Sequence, residues 1–299
     1  MALLIITTIL WAFSFSLIGE YLAGSVDSYF SVLMRVGLAA LVFLPFLRTR
    51  GQSPRTIVLY MLVGAMQLGI MYLLAFRAYL YLTVSEFLLF TVFTPLYITL
   101  IYDLLSGRKL RWGYLLSAAL AVLGAAIIRY DKVSDHFWTG LLLVQLSNLC
   151  FAIGMVGYKR LMEVRPMPQH NAFAWFYVGA FIVAVAAWFM LGNAQKLPTT
   201  TLQWSVLVWL GVVASGLGYF MWNYGATQVD ADTLGIMNNV HVPAGLLVNL
   251  AIWQEQPHWP SFISGALVIL ASLWVHRRWV APHSGQTADD RRRGSAQSE

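Results

Sequence analysis

"EFLLFTVFTPLYITLIYDLL", residues 86–105, is an apolar run with Pro95 at its middle, and "NNVHVPAGLLVNLAIW", residues 238–253, carries Pro243 at a similar depth. Proline has no backbone N–H and its ring collides with the carbonyl four residues back, so the two runs free carbonyls at Thr91 and Asn239. Inside hydrocarbon such a carbonyl survives only against protein or a wet cavity. Pro95 and Pro243 are therefore read as helix kinks beside a cavity.

The solvent follows from composition. Of 299 residues, 59% are hydrophobic and 11% charged, against roughly a quarter charged in a soluble domain. Apolar runs near the roughly 20 residues needed to cross a bilayer recur along the chain. The fold class is all-α, a polytopic membrane protein with ten transmembrane helices. The spans run 3–22, 29–47, 57–79, 83–104, 112–128, 138–158, 172–191, 204–224, 233–253 and 261–279. The first has no basic segment before it and is long enough to span, so it reads as a helix and not a cleaved signal. Cys150 is the single cysteine, which removes disulfides and cysteine-based metal sites; no metal and no cofactor are expected. Residues 281–299 read as a disordered cytoplasmic tail.

Basic residues set the orientation. Fourteen of the nineteen lie after spans 2, 4 and 6 and in the C-terminal segment: Arg48, Arg50, Arg55, Arg108, Lys109, Arg111, Lys159, Arg160, Arg165, Arg277, Arg278 and Arg291 to Arg293. Only Arg129, Lys132 and Lys196 lie opposite, while Arg35 and Arg77 fall within spans. The positive-inside rule then puts both termini in the cytoplasm, with the chain in the inner (plasma) membrane. Topology accounts for the net charge of +6, so nucleic acid is not an expected partner.

The chain also repeats. An offset of 148 sets Ala226 on Ala78, Pro243 on Pro95 and Leu246 on Ile98; an offset of 138 sets Phe151, Met155 and Gly157 on Phe13, Leu17 and Gly19. Each half, 1–131 and 132–280, then holds five spans, and an odd number makes the second enter the membrane inverted, the arrangement of alternating-access carriers. The loop after span 4, "SGRKLRW", is basic, whereas its counterpart "QEQPHW" has no Lys or Arg.

On a helix, residues three and four apart share a face. Glu86, Phe90, Phe93 and Tyr97 form one stripe on span 4, and Leu234, Asn238, His241 and Gly245 its equivalent on span 9. An ionisable group at mid-bilayer costs about 2.5–3.5 kcal/mol and needs an account. Glu86 is open between receiving an ammonium group or proton, reaching the interface and pairing with Arg77. His241 is open between substrate contact and packing. Arg35 is read as reaching to the interface or bracing the bundle ahead of touching a ligand.

Several stretches carry a family likeness. "SVLMRVGLAALVFLPFL" holds Arg35, "AFRAYLYLTVSEFLLFTVFTPLYITLI" holds Pro95, and "GYFMWNYGATQVDADTLGIMNNVHVPAGLLV" holds Trp222, Asn223, Tyr224 and Pro243. "WQEQPHWPSFISGALVIL" adds Glu255, Trp259 and Gly265. The chain resembles the drug/metabolite transporter superfamily, ten-helix carriers built from two EamA-type halves, and looks most like the YddG-type aromatic amino acid exporters. It departs from the pattern at Gly107 and Arg108, where a Gly-Glu pair is usual. The resemblance implies that mid-span Tyr79, Trp175 and Trp222 surround the cavity, with Asn223 at a matched position.

The substrate-binding candidates are thus Tyr79, Glu86, Phe90, Tyr97, Trp175, Asn223, Asn238 and His241. No HExxH, GxSxG or phosphate-binding loop occurs, so an enzyme is not expected. The expected function is secondary transport, exporting small amphipathic metabolites by alternating access, amino acids first and aromatic ones among them. The alternative is a multidrug or other metabolite permease of the same fold. The partners are the lipid bilayer and a small-molecule substrate; the oligomeric state is open, a monomer being compatible with the chain.

Overall fold

The computed structural model describes residues 2–105, 135–229, 231–254 and 259–279, together with 116, 119–120, 123–124 and 127. Every regular element among them is helical. In order these are α1 (Ala2–Tyr21), α2 (Ser28–Phe43), α3 (Pro54–Ala78), α4 (Val84–Thr91), α5 (Thr94–Leu105), α6 (Asp135–Val164), α7 (Gln169–Leu191), α8 (Thr201–Ala226), α9 (Ala231–Val248) and α10 (Trp259–Trp279). Seven helical stretches among the described residues are long and apolar enough to cross a membrane, corresponding to spans 1–4 and 6–8. In span 9 the segment Val240–Trp253 is a shorter apolar helix. Span 5 between residues 112 and 128, the basic loop at 106–111, Glu255 and the 281–299 tail fall largely or wholly outside the described residues. The chain is an all-helical, multi-pass membrane protein.

Local chemistry starts the helices. Asp27 accepts the Phe30 N–H at 2.9 Å to cap α2, and Ser53 caps α3 with Pro54 in its first turn, where a missing N–H costs nothing. Thr83 with Glu86, and Thr200 with Gln203, form capping boxes on α4 and α8, each satisfying two otherwise orphaned backbone donors.

Span 4 is not one helix. The chain breaks at Val92–Phe93 and restarts at Thr94, with Pro95 in the first turn of α5. The carbonyls left by the break find donors: Thr91 Oγ1 donates to Leu88 O at 2.6 Å, Thr94 Oγ1 to Thr91 O at 2.7 Å and Asn148 Nδ2 to Phe90 O at 2.9 Å. This corrects the single stripe expected on span 4, since helical phase does not carry Glu86 and Phe90 through a broken turn to Tyr97. Pro243, by contrast, lies within a continuous α9.

Three stretches widen to π-helix: Ala65–Ile70 within α3, Leu210–Leu217 within α8, and Asn249–Trp253 following α9. Such turns loosen the i→i−4 ladder and recur at functional sites. In α8, Trp11 Nε1–H donates to Ala214 O at 2.9 Å and Tyr177 O–H to Ser215 O at 2.6 Å, so side chains of α1 and α7 take up carbonyls there.

Contacts divide the chain into two compact units, residues 1–98 with 134–256, and 99–133 with 257–299. In the first, α3 and α7 meet backbone to backbone. A methyl group on Gly64 would lie 1.9 Å from the Phe176 carbonyl oxygen, and one on Gly179 would lie 1.9 Å from that of Met61. Small residues permit that approach where lipid supplies no hydrophobic drive for helices to associate. The described part of the second unit is the end of α5 from Thr99, the scattered positions between 116 and 127, and α10.

Candidate functional site

The first unit encloses a cavity of about 80 Å³, room for several waters at ~10–15 Å³ each. Its aromatic wall is built by Trp11, Phe15, Tyr79, Phe87, Phe151 and Tyr219. Tyr79 and Phe87 stack at 4.3 Å, with Phe15 6.0 Å from Phe87. Trp11 lies 4.5 Å from Tyr219 and 5.0 Å from Trp222. Two polar clusters interrupt this wall.

The first cluster joins α2, α3 and α8. Arg35 is only 3% exposed. Its Nε–H donates to Ser215 Oγ at 2.5 Å, and Tyr72 O–H shares a hydrogen bond with the same hydroxyl at 2.9 Å. The guanidinium lies 4.1 Å above the Tyr72 ring and 6.0 Å from that of Phe76, cation–π contacts strengthened by desolvation. Of the two expectations for Arg35, reaching to the interface and bracing the bundle, the placement agrees with the second: it is buried, held by a hydroxyl from the π stretch of α8, and lines the cavity.

The second cluster joins α1, α4 and α9. Asn238 and His241, three apart on α9, both line the cavity. The His241 ring stacks on Phe15 at 5.4 Å, and its Nε2 lies 3.3 Å from Thr91 Oγ1. Thr91 gives its hydroxyl proton to the Leu88 carbonyl and can accept from His241 Nε2–H, while the Asn238 backbone carbonyl offers the ring a second acceptor, so either ring nitrogen can carry the proton of the neutral imidazole. Among the described residues the Asn238 Nδ2 has no hydrogen-bond partner, and the His241 Nδ1 has none of good hydrogen-bonding geometry, with the Asn238 backbone carbonyl beside the ring. Buried polar atoms are nearly always satisfied, so such a pair beside a cavity is open to water or ligand.

Of the eight substrate-binding candidates from the sequence, the structure brings Tyr79, Asn238 and His241 to this cavity. The buried Glu86 accepts the Thr83 N–H at 2.9 Å to close the α4 cap. Phe90 is fully enclosed and packs on Phe137 at 5.9 Å. Tyr97 O–H donates to Gln145 Oε1 at 3.1 Å, and Trp175 Nε1–H to Arg48 O at 3.2 Å. Asn223 and Gln67 exchange two amide hydrogen bonds, 3.0 and 3.1 Å, tying α8 to the π stretch of α3. Sequence reasoning does not find Tyr72, Asn148 or Ser215 as lining or supporting residues. The one signal toward them is Arg35 itself, since a cation buried in a span demands partners.

A helical bundle of membrane-crossing length around a polar-lined cavity is the architecture of a membrane transporter. The chain belongs to the EamA-like transporter family, which it matches over residues 1–130 and 138–277. It is similar to a protein of Escherichia coli (strain K12) named "Biotin transporter", 83% identical over the full length of both chains. A Pseudomonas aeruginosa protein named "Probable biotin transporter" is 55% identical over 93% of this chain and 97% of its own. A "Probable terminal-alkyne amino-acid exporter" of Streptantibioticus cattleyicolor is 20% identical over 62% of this chain and 61% of its own. One solved structure, described only as a crystal structure of a protein, shares the fold with a TM-score of 0.63 at 17% identity, covering 92% of this chain and 95% of that one.

Proposed function

We propose that this transporter carries biotin, the metabolite-permease alternative among the sequence expectations, in place of amino acids. The 83% identity to a relative of that name across the whole chain carries the reading. The cavity supports it. Biotin joins a carboxylate, an apolar chain and thiophane ring, and a neutral ureido group with two N–H donors and one carbonyl. The lining offers one cation, an aromatic wall and neutral hydrogen-bonding groups, but no Asp or Glu among the described residues. An amino acid would bring an ammonium group into a low-dielectric space without a carboxylate to receive it, a costly arrangement. The probable terminal-alkyne amino-acid exporter, at 20% identity over 62% of this chain, does not offset this.

Transport by alternating access of two inverted halves, 1–131 and 132–280, in the inner membrane with both termini cytoplasmic, completes the proposal. The supporting observations are the internal sequence repeat and the basic-residue bias. The test is radiolabelled uptake into liposomes containing the purified protein. Biotin should enter saturably down its gradient without nucleotide and be competed by unlabelled biotin, while phenylalanine is not carried. Phenylalanine transport without biotin transport would reverse the assignment. A reporter fused after Glu299 and active only in the cytoplasm should give signal; silence at equal expression would sink the orientation.

A further inference from the structure

Resting on the biotin reading, we propose that Arg35 is the carboxylate anchor of the cavity. The carrier then selects amphipathic monocarboxylates by their charged end and leaves the ring end to neutral contacts. Arg35 is held on two sides: Nε–H by Ser215 and one guanidinium face by the Tyr72 ring. Among the described residues no hydrogen bond is recorded from its terminal N–H groups and no Asp or Glu pairs with it. Those donors form a planar fork matched to two carboxylate oxygens. A cation taken out of water without a counter-charge is unfavourable, so an anion entering the cavity supplies what the fold withholds. The tether to Ser215 fixes the fork before substrate arrives, which reduces the ordering needed on binding.

The neutral end follows by complementarity. A ligand whose carboxylate meets Arg35 directs its other end toward the remaining polar lining, where Asn238 Nδ2–H suits a ureido carbonyl and the neutral His241 ring a ureido N–H or carbonyl according to its tautomer. These contacts add to binding without a charge to neutralise. The anchor therefore outranks them, and carboxylates lacking the biotin ring system are accepted with lower affinity.

The test compares acids with their amides on the purified full-length protein, by thermal unfolding and by uptake into liposomes. Biotin, desthiobiotin and octanoate are set against biotinamide and octanamide, in wild type, R35K and R35Q. Wild type should bind each acid at least about tenfold more tightly than its amide. R35K should keep part of that preference and R35Q lose it, with biotin affinity falling roughly 30-fold or more, as when one partner of a buried charged pair is removed. If wild type binds biotin and biotinamide alike, or folded R35Q still prefers acids, the anchor is overturned while the biotin reading stands. If biotin is not carried yet octanoate binds through Arg35, the biotin reading falls and the anchor stands. The wild-type acid-to-amide comparison decides the matter even should R35Q fail to fold.

Discussion

The two polar clusters of the cavity solve opposite problems. Around Arg35 the fold supplies a hydroxyl and aromatic faces to a full charge but, among the described residues, no counter-charge. Around His241 it supplies neutral groups and, among the described residues, leaves the Asn238 amide donor without a partner. The first cluster is incomplete by a whole charge, the second only by hydrogen bonds. Charge-assisted bonds are about twice as strong as neutral ones, so the first sets how tightly a substrate binds and the second which shapes it tolerates.

That ranking can be broken. The largest loss of biotin uptake is expected from R35Q. Asn238→Ala and His241→Ala, at equal membrane expression, should each lower uptake by about three- to tenfold, the worth of a single neutral hydrogen bond. If either alanine variant proves as damaging as R35Q, the neutral cluster governs affinity and the comparison is wrong. A smaller effect on uptake is expected at Asn223, which ties α8 to α3 through Gln67. Asn223→Ala strands the Gln67 amide in a fully buried setting and should cost about 1–3 kcal/mol of stability, seen as a lower unfolding temperature. Uptake per folded molecule should remain within about twofold; a selective transport defect at unchanged stability would instead move Asn223 into the site. The smallest change belongs to Glu86→Gln, which keeps an oxygen to accept the Thr83 N–H. Biotin uptake should be indistinguishable from wild type, whereas a large loss would show that the carboxylate serves transport beyond its cap.

How far the sequence revealed the site depends on the range of the interaction. Helical spacing alone puts Asn238 and His241 on one face of α9, and in the structure both residues line the cavity. Trp175 and Phe90 were equally attractive as mid-span aromatics, but periodicity identifies a shared face without telling which neighbour that face meets. For Arg35 the same limit leaves two readings open, reaching to the interface and bracing the bundle. Its partner Ser215 lies 180 residues away, and without that contact a lone arginine in a span fits either. Span 4 illustrates a different limit: Pro95 signals a disturbance, but whether it kinks the helix or splits it depends on the donors available to the carbonyls, here Asn148 from α6 and the two threonines.

The π stretch of α3 has a consequence in genetic terms. Each residue of a helix advances the side-chain direction by about 100°, and a π turn accommodates its extra residue without lengthening the helix by a full step. Gln67 lies within the stretch, while Met71, Tyr72, Ala75 and Phe76 follow it and line the cavity. Loss of one codon between 65 and 70 would let the turn relax to α-geometry and rotate one part of the helix against the other. The Gln67–Asn223 pairing and the cavity wall would then compete for a single register, so an in-frame deletion of one residue would be more disruptive here than most substitutions along the same helix.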